Sequence, residues 1–432
     1  MSLIWLVLYN LIVVPLIYIG FWIGSLFNAK IKEGLKARRN QFRKLAMDIT
    51  RAGNRKRILF HCTSAGEWLQ ALPIIEKMKA ENPQLFIMVS FYSPSGYKFA
   101  KNPPQVDLKF YLPLDSVFAA RRLFKMLKPE LWIISKFDIW PNHVMIASLL
   151  KIPMVVSSAT LSADSGRDKG ISKGFNRLVY NRISHIFPIS EDDKRRFQVM
   201  VPDESKYTIA GDTRYDHVYN RGVKAENEGD VPVFRDRQDV IFIAGSTWPA
   251  DEKHVLPALV RLCERFTTLQ VIIVPHELQE NHLRDIESVF EEAGITTERY
   301  TSFYASGKTD ARVVIFNTIG MLARLYRQTS IAYIGGSFGK GIHNVMEPAV
   351  FEQPVIFGPN YLNSYEAGEL LRIGAAFTID NEQEFYDKAL LLIQDRLLRN
   401  SMGEKAKNLI YNNIGATDII MNTLKKLYGT LS

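Results

Sequence analysis

A chain of 432 residues is too long for one ordinary hydrophobic core and suits two domains. With 47% hydrophobic and 23% charged residues and no low-complexity tract, it is neither disordered nor fibrous. Its two cysteines, Cys62 and Cys263, lie far apart, which argues against a disulfide framework and for a reducing compartment; no CxxC or HExxH spacing occurs, so no metal is expected.

The net charge of +9 is local. Residues 1–29 hold no Lys, Arg, Asp or Glu, whereas Lys30–Arg57 carry eleven basic residues against Glu33 and Asp48. That segment accounts for the whole excess, so the remainder balances and no nucleic-acid partner is expected. Leu3–Phe27 is almost wholly apolar, and a helix of that length spans a hydrocarbon core of roughly 30 Å. Trp5, Tyr18 and Trp22 suit the interfaces, and Pro15 is tolerated within such a helix. A cleaved signal peptide would start with charge and end on small residues; here the start is neutral and the following residues are basic. The expectation is an uncleaved single-pass membrane anchor, with a monotopic interfacial helix as the alternative. Lys30, Lys32, Lys36, Arg38, Arg39, Arg43 and Lys44 place the bulk of the chain in the cytoplasm. They also attract anionic lipid headgroups, by about 1 kcal/mol per residue.

Past Arg57, short apolar runs alternate with helix-length segments. The runs are Ile58–Thr63, Leu85–Phe91, Leu108–Leu112, Leu131–Ser135, Met154–Ser158, His185–Ile189 and Tyr207–Ala210. After a polar stretch the pattern restarts with Val240–Ala244, Gln270–Val274, Val313–Asn317, Ile331–Ile334, Pro354–Phe357 and Ala375–Ile379. Continuous rather than alternating apolar runs are the mark of parallel strands covered on both faces. The fold class predicted is α/β: two doubly wound Rossmann-like domains facing a cleft (the GT-B type) behind an N-terminal membrane helix. The segments expected are an anchor at 1–28, a basic juxtamembrane segment at 29–57 and an acceptor-side domain at 58–216. A linker at 217–238 and a donor domain at 239–432 follow, with the last helix free to pack back on the first domain.

Ligands of open α/β sheets lie off the carboxyl ends of the strands, so the loops there carry the candidates. The first run ends in Thr63-Ser64-Ala65-Gly66-Glu67, where Gly66 permits a tight turn and close approach. Glu67 stands at a helix N-terminus, either as a capping charge or as a general base for an acceptor hydroxyl. The helix dipole is expected to lower its pKa. Asp138-Ile139-Trp140-Pro141-Asn142 follows the fourth run; Trp140 and Asn142 are weaker candidates on the acceptor side. In the second half, Ala244-Gly245-Ser246-Thr247 is a strand-to-helix turn suited to a phosphate. Gly335-Gly336-Ser337-Phe338-Gly339-Lys340-Gly341 is a pliant loop whose amides can approach a phosphate, and it is neither a Walker A nor a dinucleotide fingerprint. His343, Asn344 and Glu347 follow, and a carboxylate there can accept both hydroxyls of a ribose. His254, His276 and His282 fit no metal spacing and read as loop residues, His276 lying nearest the nucleotide side.

SAGE at Ser64–Glu67, IWPN at Ile139–Asn142, SATLS at Ser158–Ser162, GDTRYD at Gly211–Asp216, AGSTWPADE at Ala244–Glu252 and GGSFGKGIHNVMEP at Gly335–Pro348 occur in this order. With these motifs the chain resembles the bacterial 3-deoxy-D-manno-octulosonic acid (Kdo) transferases, from anchor through both halves. The resemblance implies an inverting, metal-independent transfer from CMP-Kdo to a hydroxyl of the lipid A precursor, with no cofactor. It implies that Glu67 is the general base and that Glu347 holds the cytidine ribose. Ser246, Thr247, Gly336, Ser337 and Asn344 would line the donor site, and Ser64 and Gly66 the acceptor side. The chain departs from the family pattern at Pro275-His276-Glu277, where an arginine is usual, and at Lys136 and Asp138, where Glu-x-Glu is common. Lys340 stands as a replacement charge. Two alternatives are another membrane-associated sugar-nucleotide enzyme, such as a lipid A disaccharide synthase or UDP-sugar epimerase, and a non-catalytic anchored nucleotide-binding protein. Donor choice separates the first, and absence of turnover the second.

Overall fold

The computed structural model describes residues 2–101, 103–136, 138–162, 165–166, 170–305 and 307–429. It divides into two compact units, Met1–His217 with Ile414–Ser432, and Val218–Asn413.

The first unit is built on β1 (Arg57–Cys62), β2 (Phe86–Phe91), β3 (Leu108–Tyr111), β4 (Leu131–Ser135), β5 (Met154–Ala159) and β6 (His185–Pro188). All pair in parallel, in the order β3-β2-β1-β4-β5-β6. The order reverses between β1 and β4, and a crevice at the carboxyl ends of those two strands is the favoured ligand position of such a sheet. The apolar runs are buried on both faces because helices cover both; Ile58, Phe60 and Ile133 pack on one side and Leu59, Trp132 and Ile134 on the other. Tyr207–Ala210, expected as a strand, makes only an isolated bridge from Tyr207 to Ile186.

The basic segment is not a separate tail. It folds into helices Ala29–Arg38 and Gln41–Asp48 and a short 3-10 turn, Ile49–Ala52. Leu45, Ile49 and Ala52 are buried in the same core as Leu59 and Phe86. Arg38 lies under this layer, donating to the carbonyls of Leu112 (2.7 Å) and Tyr92 (2.6 Å). Burial lowers its pKa from the ordinary guanidinium value. The other six basic residues nearest the apolar segment are exposed.

Ile4–Phe27 is helical throughout, with a π-helical turn at Tyr9–Val13, and is long and apolar enough to cross a membrane by length and composition. Tyr9 and Val14 are nevertheless buried against the first unit. At the other end of the chain, Asp216 receives the Gly415 and Thr417 N–H groups (2.6 and 2.7 Å) and the Thr417 hydroxyl (2.6 Å). A carboxylate so placed satisfies orphan donors of the helix Ala416–Tyr428, which belongs to this unit.

The second unit holds β7 (Ile241–Thr247), β8 (Gln270–Pro275), β9 (Thr297–Arg299), β10 (Val313–Ile315), β11 (Ile331–Ile334), β12 (Val355–Phe357) and β13 (Ala376–Thr378). They form one parallel sheet in the order β13-β12-β11-β7-β8-β10-β9, with the reversal between β7 and β11. The edge strand β9 has the sequence Thr-Glu-Arg, without the apolar run by which the others are recognised. Residues 217–238, expected as a linker, are helical as far as Glu228, as the last part of the helix Thr213–Glu228. From Val218 on they belong to the second unit. Tyr215, Val218, Gly222 and Ala225 supply a buried stripe at three- and four-residue spacing within an otherwise polar sequence.

Candidate active site

In the first unit the two loops at the strand reversal meet. Ser64 caps the helix Ala65–Glu81, its Oγ accepting from the Glu67 N–H at 3.5 Å. Glu67 bends back to accept the Thr63 N–H on Oε2 and is 7% exposed. Beside it, Asp138 Oδ2 accepts from His61 Nε2 (3.0 Å), from Trp140 Nε1 (3.2 Å) and from the Thr63 hydroxyl. The other ring nitrogen of His61 meets Ser90 Oγ at 2.9 Å.

The expectation that the helix dipole lowers the Glu67 pKa does not hold. Burial raises it, with the nearby Asp138 charge adding to the rise, and the Thr63 N–H, His61 and Lys136 only partly oppose this. Asp138 goes the other way: burial alone would raise its pKa, but the hydrogen bonds from His61, Thr63 and Trp140 hold it below the usual carboxylate range. Two carboxyl groups with opposed shifts thus stand side by side, a fixed anion and a base of raised proton affinity, an arrangement typical of acid–base sites.

Gly66 is not needed for a tight turn. It sits in the first helical turn with ordinary backbone angles, and a Cβ there would meet nothing nearer than Ser64 Oγ at 3.9 Å. What it leaves is open space in the first turn of this helix. Gly66→Leu is therefore expected to leave the melting temperature unchanged or slightly higher, glycine being the poorer helix former by about 1 kcal/mol. If an acceptor enters there, its KM rises severalfold; unchanged kinetics would show that the space is not used.

Trp140 stacks on Tyr92 at 4.6 Å. Asn142, expected to face an acceptor, is buried. Its side chain exchanges two hydrogen bonds with Asn10 (2.9 and 3.0 Å), and its N–H goes to Asp115 Oδ2 at 3.1 Å. Asp115 also accepts from the His143 N–H (3.1 Å), meets His143 Nδ1 (2.7 Å) and accepts the Tyr9 hydroxyl (2.8 Å). No motif pointed to Asp115; its partners come from two distant stretches of chain, around Tyr9 and at Asn142–His143.

In the second unit the loops after β7 and β11 meet at the other reversal. Gly335 is required by close approach, since a Cβ there would lie 2.2 Å from the Ser246 carbonyl oxygen, and Gly336 has φ +92°. Ser246 itself takes the left-handed conformation, φ 56°. Five of the seven loop amides from Gly335 to Gly341 are engaged within the protein. Asp251, fully buried, accepts Gly336 N–H (2.8 Å), Phe338 N–H (3.2 Å), Trp248 N–H (3.0 Å) and the Tyr333 hydroxyl (2.9 Å). Gly335 N–H goes to Gly245 O, and those of Gly339 and Gly341 go to Gly336 O. The glycines here allow the tight folding that these bonds require.

Thr247 and Ser337 are buried and turned inward. Thr247 Oγ1 donates to Glu252 (2.8 Å), which also meets His282 Nε2 (2.6 Å), and Ser337 Oγ accepts from Gly358 N–H (2.7 Å). Partial burial lowers the His282 pKa, but the Glu252 charge outweighs it and the net direction is up. His276 is exposed and does join a site: it stacks on Trp248 (4.4 Å) and on His343 (4.7 Å). Trp248 Nε1 donates to His343 Nε2 at 2.9 Å, which requires a neutral ring; burial and the neighbouring His276 lower the His343 pKa accordingly. The outer face of this ring stack can take a planar base. Asn344 Nδ2 reaches Glu347 Oε1 at 3.4 Å, and Arg221 pairs with the same oxygen. The Glu347 carboxylate is thus partly engaged within its own unit. Lys340 is exposed at the loop tip and Gly341 sits at φ +138°. Of the residues missed by sequence reasoning, Trp248, Asp251 and Glu252 lay inside a motif, whereas Arg221 lay inside the supposed linker.

The family described as 3-deoxy-D-manno-octulosonic-acid transferase (kdotransferase) matches residues 33–217. The chain is 26% identical over 373 residues to the 3-deoxy-D-manno-octulosonic acid transferase of Haemophilus influenzae, covering 85% of this chain and 86% of that one. It is 28% identical over 331 residues to that of Chlamydophila psittaci, covering 74% of each. The fold is shared with UDP-GlcNAc 2-epimerase from Neisseria meningitidis (TM-score 0.58, 16% identity, 86% of this chain and 100% of that one) and with MurG from Acinetobacter baumannii (TM-score 0.53, 14% identity, 86% and 99%). The family match starts inside the basic segment and ends at His217, where the first stretch of the first unit ends, so it takes in the whole Glu67–Asp138 site; the chain is a glycosyltransferase similar to the 3-deoxy-D-manno-octulosonic acid transferases.

Proposed function

We propose that the protein transfers Kdo from CMP-Kdo to a hydroxyl of the lipid A precursor, with inversion and without a metal, at the cytoplasmic face of a bacterial inner membrane. One observation carries the reading: a buried glutamate of raised proton affinity, Glu67, next to the anionic Asp138 at a sheet reversal. Such a group takes the acceptor proton as the oxygen bonds to the anomeric carbon of Kdo, while the bond from that carbon to the CMP phosphate oxygen breaks. The electron pair leaves with CMP. His61 keeps Asp138 anionic, and that fixed charge makes Glu67 a stronger base.

In the second unit the Trp248–His276–His343 stack offers a face for the cytosine, and Glu347 and Asn344 offer acceptor and donor groups for the ribose. Arg221 and Lys340 are the cations nearest to hand for the single phosphate and the Kdo carboxylate, which supports metal independence. Six exposed basic residues after Ile4–Phe27 favour an anionic lipid surface, where the acceptor resides. Mass analysis of lipids after incubation with CMP-Kdo and a tetraacylated lipid A precursor tests the proposal. A gain of one or more Kdo masses is expected; transfer only from a UDP-sugar would overturn it.

A further inference from the structure

The segment Ile4–Phe27 is apolar all round, and a helix of that kind needs apolar surroundings on every side. The first unit supplies one side along nearly the whole length. Trp5 lies against Gly174, Tyr9 stacks on Phe175 at 5.1 Å, Val14 is buried, and Phe21 meets the Tyr92 ring edge-on at 6.0 Å. From Trp5 to Phe21 is roughly 24 Å of helix, most of the thickness of a hydrocarbon core. A helix spanning the bilayer with these contacts intact would carry Phe175, Asp115, Asn142 and Tyr92 to hydrocarbon depth. A helix spanning without them would leave Asn10 about two turns into the membrane with only the Leu6 carbonyl of its own helix (2.9 Å) as partner, and its amide oxygen bare, which is costly there. Asn10 and the Tyr9 hydroxyl have partners where they are: Asn142 and Asp115.

The opposite side of the helix is open. Leu11, Leu16, Trp22, Leu26 and Phe27 are each 60% exposed or more. The first turn of the helix Val117–Leu127, which follows Asp115, adds Phe118, 87% exposed. Directly behind the helix, Lys30, Lys32, Lys36, Arg39, Arg43 and Lys44 are exposed, a charge that matches one lipid leaflet rather than a protein groove.

We propose that this helix does not cross the membrane. It lies in the plane of one anionic leaflet, its outer face in the lipid and its inner face bound to the rest of the first unit, so the start of the helix Pro141–Leu149, with Trp140 and Asn142, is held at the membrane surface. The inference deepens the membrane reading above and replaces the single-pass expectation from the sequence.

The test uses two full-length variants, Ser2→Cys and Lys30→Cys, in sealed inverted membrane vesicles treated with a membrane-impermeant maleimide. Cys62 and Cys263 are both buried and give a quiet background. Equal labelling of both variants before permeabilisation is expected. Labelling of the Ser2→Cys protein only after permeabilisation would overturn the proposal and leave the enzymatic and membrane readings intact. Recovery of the protein in the soluble fraction, as monomers or as dimers joined through this helix, would sink both the in-plane seat and membrane attachment. A protease-cleavable N-terminal tag repeats the measurement without altering the helix: cleavage from the outside of inverted vesicles supports the seat, and protection overturns it.

Discussion

Glu67→Gln is expected to abolish transfer while leaving the protein as stable as the parent or more so. Loss of a general base typically costs about 10²- to 10⁴-fold in rate. The amide keeps the size of the side chain and an oxygen for the Thr63 N–H, so the capped helix is retained. Folding raises the pKa of this carboxyl, so the folded state holds its proton more tightly than the unfolded chain does. Stability is therefore lost as pH rises from the ordinary glutamate value through the raised one, and above that value the charged side chain is a standing cost that glutamine removes. The same shift sets the acid limb of kcat/KM: activity in the parent rises with pH through the raised value, above the usual glutamate range. The measurements are product formation across pH and thermal unfolding at neutral pH. Full activity in Glu67→Gln would remove this residue from the chemistry, and CMP binding should be unchanged in either case.

The two parallel sheets were legible because each central strand is a continuous apolar run, and burial on both faces is what such runs are for. The parts that were not legible depend on partners far away in sequence. Thr297–Arg299 is a strand only because β10 lies beside it, and Thr213–Glu228 is a helix whose buried stripe is hidden among charges. Glu67 could be placed at a helix start, but not its pKa direction. The dipole argument sees only the helix, whereas burial and Asp138 come from the fold. The glycine loop was legible only in part. Its composition suits anion approach and tight folding equally, and the choice falls to Asp251, a residue 85 positions before Gly336. Asn142 was placed on the acceptor side by a motif, yet its partner Asn10 sits in a segment whose composition speaks only of membrane.

Asp251 is also where the largest loss of stability is expected. Its carboxylate is fully buried and receives four donors: three backbone N–H groups and the Tyr333 hydroxyl. An ionised carboxylate is acceptor-only, with about four lone-pair sites, so donors and acceptor match in number. Asp251→Ala leaves those donors buried without partners and should destabilise the second unit by about 3–5 kcal/mol. Asp251→Asn should rescue little. Its one oxygen can serve two of the donors, and its NH2 group then faces the other two with hydrogens of its own. Because the N–H groups of Gly336 and Phe338 both end on this residue, the loop bearing His343 and Asn344 loosens as well, and CMP affinity falls about tenfold in both variants. Thermal unfolding and CMP titration of the full-length protein read the two effects. Parent-like stability in Asp251→Asn would mean that the loop is held by its glycines and not by the charge beneath it.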